Sequence, residues 1–371
     1  MSNRTCEEVS WVAIDTGAEK MQVAIFRGEE ATPSEEFEVV VDERGIGRLK
    51  KKFGGERGAV KCVYEAGPCG YGLYRTLTAS GYYCEVIAPS LTPRKPGERV
   101  KTNRLDARRL GVYYRAGELT PVRIPDEKQE ALRDLLRARD DVRRDLQQSR
   151  QRLNGCLLRR GYHYKEGSRW TQKHWAWIKA IQFQDENVTM VVSEYITTVE
   201  TRAARLARFD RQIQEISQRP EYAAKVAGYS VLRGIQTLGA MTIIAEGGDL
   251  RQYGRAAQFM GSTGMVPTEH STGEHQRRGS ITKTGNAYLR RILIEAAWSY
   301  QKRAHAGATI QNRRRNQPEA LLTIARKADH RLHGKFYKLQ FRYNKKAAVA
   351  TVAVARELAG FVWAIGQLIE A

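Results

Sequence analysis

Two apolar runs in the first seventy residues each end in a carboxylate followed by a glycine-containing turn. Asp15 closes the run 10–14, and Glu65 closes the run 60–64. A carboxylate at the end of a buried strand is held on a rigid sheet and projects into the crevice where ligands bind. Two of them on neighbouring strands can share a divalent cation, which takes oxygen ligands and bridges phosphates. The pattern therefore predicts a sheet that carries a metal site.

The order of elements around these carboxylates indicates a particular α/β arrangement. The β-rich and helical runs predict strands at residues 11–14, 21–26 and 37–41, a helix at 46–53, the Glu65 strand, a helix at 68–80 and a strand at 83–87. Three strands followed by helix, strand, helix and strand is the order of the RNase H fold. The carboxylates then fall at the ends of strands one and four.

The charge of the chain favours a polyanionic partner. Its 371 residues include 62 Lys and Arg against 41 Asp and Glu, for a formal net charge of +21. Neutralising phosphates supplies most of the non-specific affinity for nucleic acid. An anionic membrane is the alternative partner, but the basic residues are spread along most of the chain rather than clustered. Nucleic acid is therefore the predicted partner, with no membrane.

The cysteines and histidines do not indicate a zinc site or another metal site. The five cysteines are scattered without a C-x-x-C pair, which fits a reduced cytosol. His330 and His333 lie one helical turn apart with no cysteine near them, so surface or packing roles are favoured. The first ten residues are unlike a signal peptide, and Arg356-Glu357 interrupt the apolar carboxyl-terminal stretch. We expect a cytoplasmic protein that associates with the nucleoid when it acts.

A helix predicted around residues 103–114 offers further oxygen ligands. Asn103 and Asp106 are three residues apart, which places both on one helical face. Asp106 is therefore a candidate third metal ligand. The alternative is a helix-start acid that pairs with Arg104 or Arg109.

The middle of the chain predicts two long amphipathic helices. Apolar residues recur at helical spacing over 132–157 and again over 196–216, the second nearly as a heptad seam that ends at Pro220. The expected result is a helical hairpin that spaces two domains or pairs protomers. The tryptophans of the basic connection 163–179 could contact bases, but packing is favoured. Those tryptophans are Trp170, Trp175 and Trp177.

Two later segments are candidates for phosphate binding. Residues 231–245 are apolar and broken by Gly234 and Gly239. They fit either a glycine-containing hairpin whose N–H groups face a phosphate, as in helix-hairpin-helix DNA binders, or a plain packing unit. Residues 261–291 are basic and rich in hydroxyls, with Ser271 beside His270. An exposed serine near cations suits attack on phosphorus, yet such loops also bind phosphate without catalysis.

Basic residues around these motifs are candidate contacts to nucleic acid. They are Lys101, Arg104, Arg277, Arg278, Lys283, Arg290 and Arg291.

The motifs together resemble one family of insertion-sequence transposases, the DEDD-type IS110 family. MVPTEHSTG…RRGSITKTGNAYLRRILIEAAW resembles its carboxyl-terminal transposase domain, and KTNRLDARRL resembles its KTD-x-x-DAR segment. VAIDTGAEKMQVAI and VYEAGPCGYGLYRTL resemble its first two acidic motifs. GYHYKEGSRWTQKHWAWI and AVATVAVARELAGFVWAI are also similar to family members, so the resemblance covers nearly the whole chain in order.

This resemblance implies an α/β-plus-α protein in three parts. They are a RuvC-like (RNase H fold) domain at 1–125, a helical coiled-coil linker and dimerisation region at 126–225, and a mainly α-helical serine transposase domain at 226–371 with a helix-hairpin-helix-like segment. The family's members are recombinases guided by a structured bridge RNA that pairs with target and donor DNA. They are dimers that assemble into a tetramer, and each active site takes its acids and its serine from different subunits.

Carried over by motif, Asp15, Glu65 and Asp106 are the acidic positions, and Ser271 is the serine. Asn103 stands where the family has its third acid. An amide can offer one oxygen to Mg²⁺ but carries no charge, which weakens binding of a hard cation.

The leading hypothesis is therefore a serine-dependent, Mg²⁺-assisted recombinase that cleaves and rejoins DNA through a phosphoserine intermediate. One alternative is a metal-dependent nuclease in which Ser271 only holds phosphate. The other is a catalytically impaired RNA- and DNA-binding protein. This alternative stays open because Asn103 replaces a carboxylate of the family's site. No ATP-binding P-loop string is present.

Overall fold

The computed structural model describes residues 9–28, 30–53, 57–67, 69–89, 92, 102–269, 278–305 and 307–369. The chain divides into two compact units, residues 1–125 and 126–371. The elements of the first unit are β1 Ser10–Thr16, β2 Lys20–Arg27, β3 Glu35–Val40, α1 Glu43–Lys52, β4 Val60–Glu65, α2 Gly72–Ala79, β5 Tyr83–Ile87 and α3 Asn103–Arg115.

The strands of the first unit form one five-stranded mixed sheet in the order β3-β2-β1-β4-β5. β1 pairs antiparallel with β2, and β2 pairs antiparallel with β3. β4 is parallel to both β1 and β5. The predicted succession of strands and helices is confirmed, and the central strands β1 and β4 are the two that end in Asp15 and Glu65.

The sheet is covered on both faces because its central strands are apolar on both sides. Val12 and Ile14 of β1 belong to the larger core, which includes Leu49 of α1 and Leu77 of α2. On the opposite face, the second core is completed by α3. It consists of Ala13, Val63, Ile87, Leu110 and Tyr114, with Trp11 packed against it.

The helix predicted at 68–80 begins later in the structure, at Gly72. Gly70 has a φ of 55°, a left-handed conformation that a right-handed helix cannot contain. Its carbonyl accepts a hydrogen bond of 3.0 Å from the Tyr64 hydroxyl, which itself accepts from the backbone N–H of Tyr74. A buried tyrosine thus fixes the start of α2.

The second unit is almost entirely helical. Its elements are α4 Glu127–Leu158, α5 Gln172–Ala180, α6 Glu186–Ser217, α7 Pro220–Tyr229, α8 Thr237–Gly247, α9 Ala256–Ser262, β6 Pro267–Glu269, β7 Arg278–Ile281, α10 Ala287–Ala297, α11 Ala308–Arg314, α12 Glu319–Tyr337 and α13 Ala347–Ile369.

The two long helices α4 and α6 form the predicted antiparallel hairpin. Arg139 pairs with Asp210, while further along α4 the carbonyl of Asp145 accepts from Arg202. At the closed end, Leu153 and Val199 are fully buried in a core against which the three tryptophans of the connection pack. The packing role expected for these tryptophans is confirmed.

The seam of α6 ends at Ser217, and Pro220 begins α7 as its first residue, where its missing N–H costs nothing. The segment 231–245 then contains only one turn glycine. Gly234 has a φ of 78°, whereas Gly239 lies inside α8. The expectation that both glycines interrupt the segment is corrected: α8 runs without a break through Gly239, and its residues from Ala240 onward are buried.

The apolar helix α13 is the centre of the largest core. Val354, Leu358, Val362 and Ile365 are fully buried there, and α13 packs against α7, α9, α10 and α12. By length and composition alone this helix could cross a membrane. Its apolar side chains are instead used to close the core of the second unit.

Candidate active site and nucleic-acid interface

Asp15 and Glu65 occupy equivalent places on neighbouring parallel strands. The register pairs Ile14 with Tyr64, so each carboxylate is the next residue along its strand. Side chains alternate along a strand, and Ala13 and Val63 face α3. Asp15 and Glu65 therefore project from that same face, at one end of the sheet, and both are half-buried.

Glu65 is oriented by a hydroxyl. Thr92 Oγ1 donates a hydrogen bond of 2.7 Å to Glu65 Oε1. A hydroxyl donor leaves the second carboxylate oxygen able to accept elsewhere. Sequence reasoning missed Thr92, which has no motif of its own.

The helix α3 brings its amino-terminal end toward the Asp15 end of β1. Tyr114 packs edge-on against Trp11 at 5.2 Å between ring centroids, whereas Ala107 packs with Ala24, the β-sheet partner of Ala13. The amino-terminal end of α3 therefore lies toward the carboxyl-terminal end of β1, where Asp15 is found. Asn103 and Asp106 lie in the first turn of this helix, beyond Ala107 in that direction.

The environments of Asn103 and Asp106 differ. Asn103 is exposed and follows Thr102, whose hydroxyl caps the helix by accepting from the N–H of Leu105. Asp106 is less accessible and forms an ion pair with Arg109 at 3.6 Å. This is the pairing that the alternative interpretation of Asp106 expected.

Within the residues that the structure describes, no group of three or more His, Cys, Asp and Glu side chains is arranged to hold a metal ion. The donor chemistry of Asp15 and Glu65 nevertheless suits a hard divalent cation, because both are carboxylates from adjacent strand ends.

Arg104, a candidate nucleic-acid contact, is bonded to Glu36 of β3. Its Nε donates to Glu36 Oε2 at 2.9 Å, and Arg108 forms a second, bidentate ion pair with the same carboxylate. The hydrogen bond from Arg108 is the main reason that the pKa of Glu36 falls to about 2, with Arg104 adding to it. Sequence reasoning missed Glu36, whose partners lie some seventy residues away.

Ser271 and Arg277 lie outside the described residues, as does Lys101. The strands on either side of residues 270–277 are described. β6 pairs antiparallel with β7, with Pro267 opposite Ile281 and Glu269 opposite Arg278. The candidate serine therefore lies in sequence between two paired strands, of which the second begins at Arg278.

The three remaining basic candidates have different surroundings. Lys283 is exposed and has a φ of 57°. Arg290 donates to the carbonyls of Thr263 at 3.0 Å and Lys283 at 3.3 Å, which ties the hairpin to α10. Arg291 forms ion pairs with Asp140 and Glu295. Lys283 is thus the most accessible of the three, while the two arginines also serve the fold.

A buried carboxylate, Glu246, is bonded to Asn286 at the start of α10. The side chain of Glu246, in α8, is 1% exposed and receives a bidentate ion pair from Arg137 at 2.8 and 2.9 Å. Asn286 Nδ2 donates to it at 2.7 Å, while Asn286 Oδ1 caps α10. The network fixes the start of α10 directly after the hairpin. An acid inside the apolar run 240–247 was the available sequence signal.

The turn around Gly234 borders a basic cavity of about 590 Å³. A Cβ on Gly234 would lie 2.2 Å from the carbonyl oxygen of Ala296, so the close approach requires glycine. The basic side chains that line the cavity are Arg233, Lys302, Arg303, His305 and Arg313. Such a surface suits the phosphate backbone of nucleic acid.

Comparison with known proteins agrees with this arrangement. Residues 12–160 match a family model for the DEDD transposase of the IS110 group, and residues 230–312 match the model described as Transposase IS116/IS110/IS902 family. A putative transposase of Sinorhizobium fredii, y4qE, is 40% identical over 330 residues, which is 89% of this chain and 81% of the relative. The transposase for insertion sequence element IS1533 of Leptospira borgpetersenii is 32% identical over 339 residues, 90% of this chain and 98% of the relative.

A further relative matches only in part: a probable family 20 transposase of Pseudomonas aeruginosa is 39% identical over 99 residues, 27% of this chain and 28% of the relative. The two matches that cover 89% and 90% of the chain, with the two family models in order along it, lead to one conclusion: this protein belongs to the IS110 family of insertion-sequence transposases.

Proposed function

We propose that this transposase is a serine-dependent DNA recombinase whose first unit is a RuvC-like domain of the RNase H fold. The observation that carries the proposal is the placement of Asp15 and Glu65 side by side at the ends of adjacent parallel strands, on the face covered by α3. The strand order β3-β2-β1-β4-β5, with β2 antiparallel between its neighbours, supports the fold.

Asp15, Glu65 and Asp106, with Asn103, are the residues that would hold Mg²⁺. Bound there, the cation would orient the scissile phosphate and neutralise its charge. The half-buried carboxylates are oxygen donors of the type that Mg²⁺ prefers, and Thr92 keeps Glu65 oriented. Divalent-metal use also agrees with the DEDD family model that spans these residues.

Ser271 is the proposed nucleophile. Its hydroxyl oxygen gives up its proton and forms a new bond to phosphorus. A phosphorus–oxygen bond of the DNA backbone breaks, and the released sugar oxygen takes up a proton to become a free hydroxyl. The resulting phosphoserine keeps the phosphoester linkage. Attack by a hydroxyl of the exchanged strand then frees the serine and reseals the backbone without ATP.

The partners follow from the same proposal. Target and donor DNA and a structured guide RNA would bind the basic surfaces, and a homodimer would assemble into a tetramer. The α4–α6 hairpin within 126–225 is suited to dimerisation, with 226–371 as the serine transposase domain and its helix-hairpin-helix-like segment. A cytoplasmic, nucleoid-associated location agrees with action on DNA.

Denaturing gel electrophoresis of the protein with labelled target DNA and guide RNA tests the chemistry. We expect a covalent protein–DNA adduct that requires Mg²⁺ and disappears in Ser271→Ala. Ser280→Ala, another hydroxyl of the same basic region, is the matched control and should retain the adduct. Metal-dependent cleavage without an adduct would establish a nuclease instead. Shifted but intact DNA would establish a binding protein.

A further inference from the structure

A polar cavity of about 420 Å³ lies toward the closed end of the α4–α6 hairpin. Its lining residues are distant in sequence from Asp15, Glu65 and Ser271. One wall is a stripe of α4 at helical spacing, formed by Arg143, Gln147, Arg150, Gln151 and Asn154. The buried seam of the hairpin, which includes Leu146 and Leu153, runs alongside this stripe, so the cavity presents polar groups next to an apolar core.

Arg150 lies in this wall, and no Asp or Glu among the described residues forms an ion pair with it. Its Nε is buried and has no hydrogen-bond partner within the described part of the chain. Burial lowers the pKa of the Arg150 guanidinium. A buried guanidinium donor without an acceptor is costly, and a ligand that supplies anionic oxygens would remove that cost.

Trp170 faces the same cavity in a strained backbone conformation. Its φ is 67°, which is unusual for a bulky residue and costs free energy. The buried His174 holds it there, since His174 Nδ1 accepts from the Trp170 backbone N–H at 2.9 Å. The Arg150 guanidinium lies over the indole at 5.1 Å from its centroid. The hydrogen bond from Trp170 to His174 therefore holds the indole ring beside the Arg150 guanidinium.

The charge of the cavity is of one sign. Its lining includes Arg143, Arg150 and Arg169 but no Asp or Glu. Arg143 shares the buried carboxylate of Asp140 with Arg144 and Arg291, so that one acid serves three cations. Exposed amides of Gln147 and Gln151 stand at the rim, where they can donate and accept.

We propose that this cavity binds one unpaired nucleotide of a single-stranded polynucleotide, with the phosphate at the arginines and the base against the Arg150–Trp170 pair. Bases stack on aromatic rings and on guanidinium planes, and amides can bond to their edges. The proposal rests on the proposed function, because recombination with a guide RNA supplies unpaired strands of both RNA and DNA.

The test uses the full-length protein at one fixed salt concentration, since phosphate contacts are salt-dependent. Fluorescence anisotropy measures the affinity for fluorescein-labelled oligouridine RNA and oligothymidine DNA, both twelve nucleotides long by design. We expect Arg150→Gln to weaken binding about tenfold. Arg208→Gln, which removes an exposed charge of α6 outside the cavity, is the matched control and should change affinity about twofold or less. Equal losses in the two variants would overturn the proposal.

The aromatic contact has its own control. Trp170→Phe should retain binding, whereas Trp170→Leu should weaken it about tenfold. Because Trp170 also packs against the hairpin core, both variants are compared well below their melting temperatures. Photocrosslinking of wild-type protein to 5-iodouridine RNA, followed by peptide mapping, needs no variant and should place the crosslink in 169–177. A crosslink map without this segment, for RNA and for the 5-iododeoxyuridine DNA, would overturn the proposal.

The relative affinities of the two probes identify whether RNA or DNA is the occupant. The Ser271→Ala protein should bind both probes as the wild type does. If Ser271→Ala loses the adduct while Arg150→Gln binds both probes as the wild type does, only the proposed nucleotide site in the cavity is disproved. If Ser271→Ala still forms the adduct while Arg150→Gln binds more weakly, only the proposed chemistry is disproved.

Discussion

Gly111 lies so close to Phe26 that a Cβ built on it would be 2.2 Å from Cε2 of the ring. This contact sets the distance between α3 and the sheet. Because α3 also carries Asn103 and Asp106, a glycine without catalytic chemistry determines how near those side chains come to Asp15.

Gly111→Ala should therefore reduce recombination and stability together. The added methyl must displace Phe26 or α3, and overpacking of this kind costs about 1–3 kcal/mol. Urea unfolding and a DNA excision assay measure the two effects. Gly47→Ala is the matched control, because no heavy atom lies within 4 Å of the added Cβ. Replacing that helical glycine should stabilise the protein by up to about 1 kcal/mol, with excision unchanged.

Neutralising either strand-end carboxylate should abolish activity without unfolding the protein. Asp15 and Glu65 place like charges on neighbouring strands, which is unfavourable for folding. We expect Asp15→Asn and Glu65→Gln to lower excision about a hundredfold or more and to keep or raise the melting temperature. Glu38→Gln removes an exposed carboxylate of β3 and should leave excision unaffected. A fall in melting temperature that parallels the lost activity would contradict a functional role.

The ends of β1 and β4 were predictable because each of these two apolar runs is short, bounded by a turn and followed at once by an acid. The start of α2 was not, since it depends on Gly70 and on a hydrogen bond from Tyr64 that only the folded sheet brings close. The long helices α4 and α6 were predictable for the opposite reason: their apolar periodicity persists for many turns and needs no distant partner.

Asn103→Asp should increase metal-dependent activity. The substitution adds a negative charge at an exposed position in the first turn of α3, near Asp106 and favourable to the helix dipole. We expect half-maximal excision at a Mg²⁺ concentration about tenfold lower. Thr102→Asp, one residue earlier, controls for charge at the helix start. An unaltered Mg²⁺ dependence would show that position 103 is not a ligand.

Stability should fall below pH 4.5 because of Glu36. Its carboxyl group has a folded-state pKa of about 2 against an ordinary 4.5, chiefly through the hydrogen bond from Arg108. A depressed folded pKa contributes stability above the unfolded value, and this contribution is lost as the pH falls from 4.5 toward 2. The difference in free energy of unfolding between wild type and Glu36→Gln should shrink over that range. A difference that is constant with pH would exclude this ion pair as its origin.

The candidate site was predicted less completely than the fold because many of its supporting contacts are non-local. Asp15, Glu65 and Asp106 follow from strand ends and helix spacing, but Glu36 and Thr92 act on Arg104 and Glu65 across the tertiary structure. Arg290 and Arg291 were identified by charge alone, which could not distinguish a phosphate contact from the carbonyl and carboxylate partners they have here.

The apolar helix α13 has a consequence for synthesis of the protein. The helices it packs against, α7, α9, α10 and α12, all leave the ribosome before it, yet their shared core lacks its centre until α13 arrives. Until α13 is synthesised, the nascent second unit therefore exposes apolar surface. During that time it can aggregate or be bound by chaperones. A frameshift or stop codon at Ala347 would remove no proposed catalytic residue, yet we expect it to silence the element.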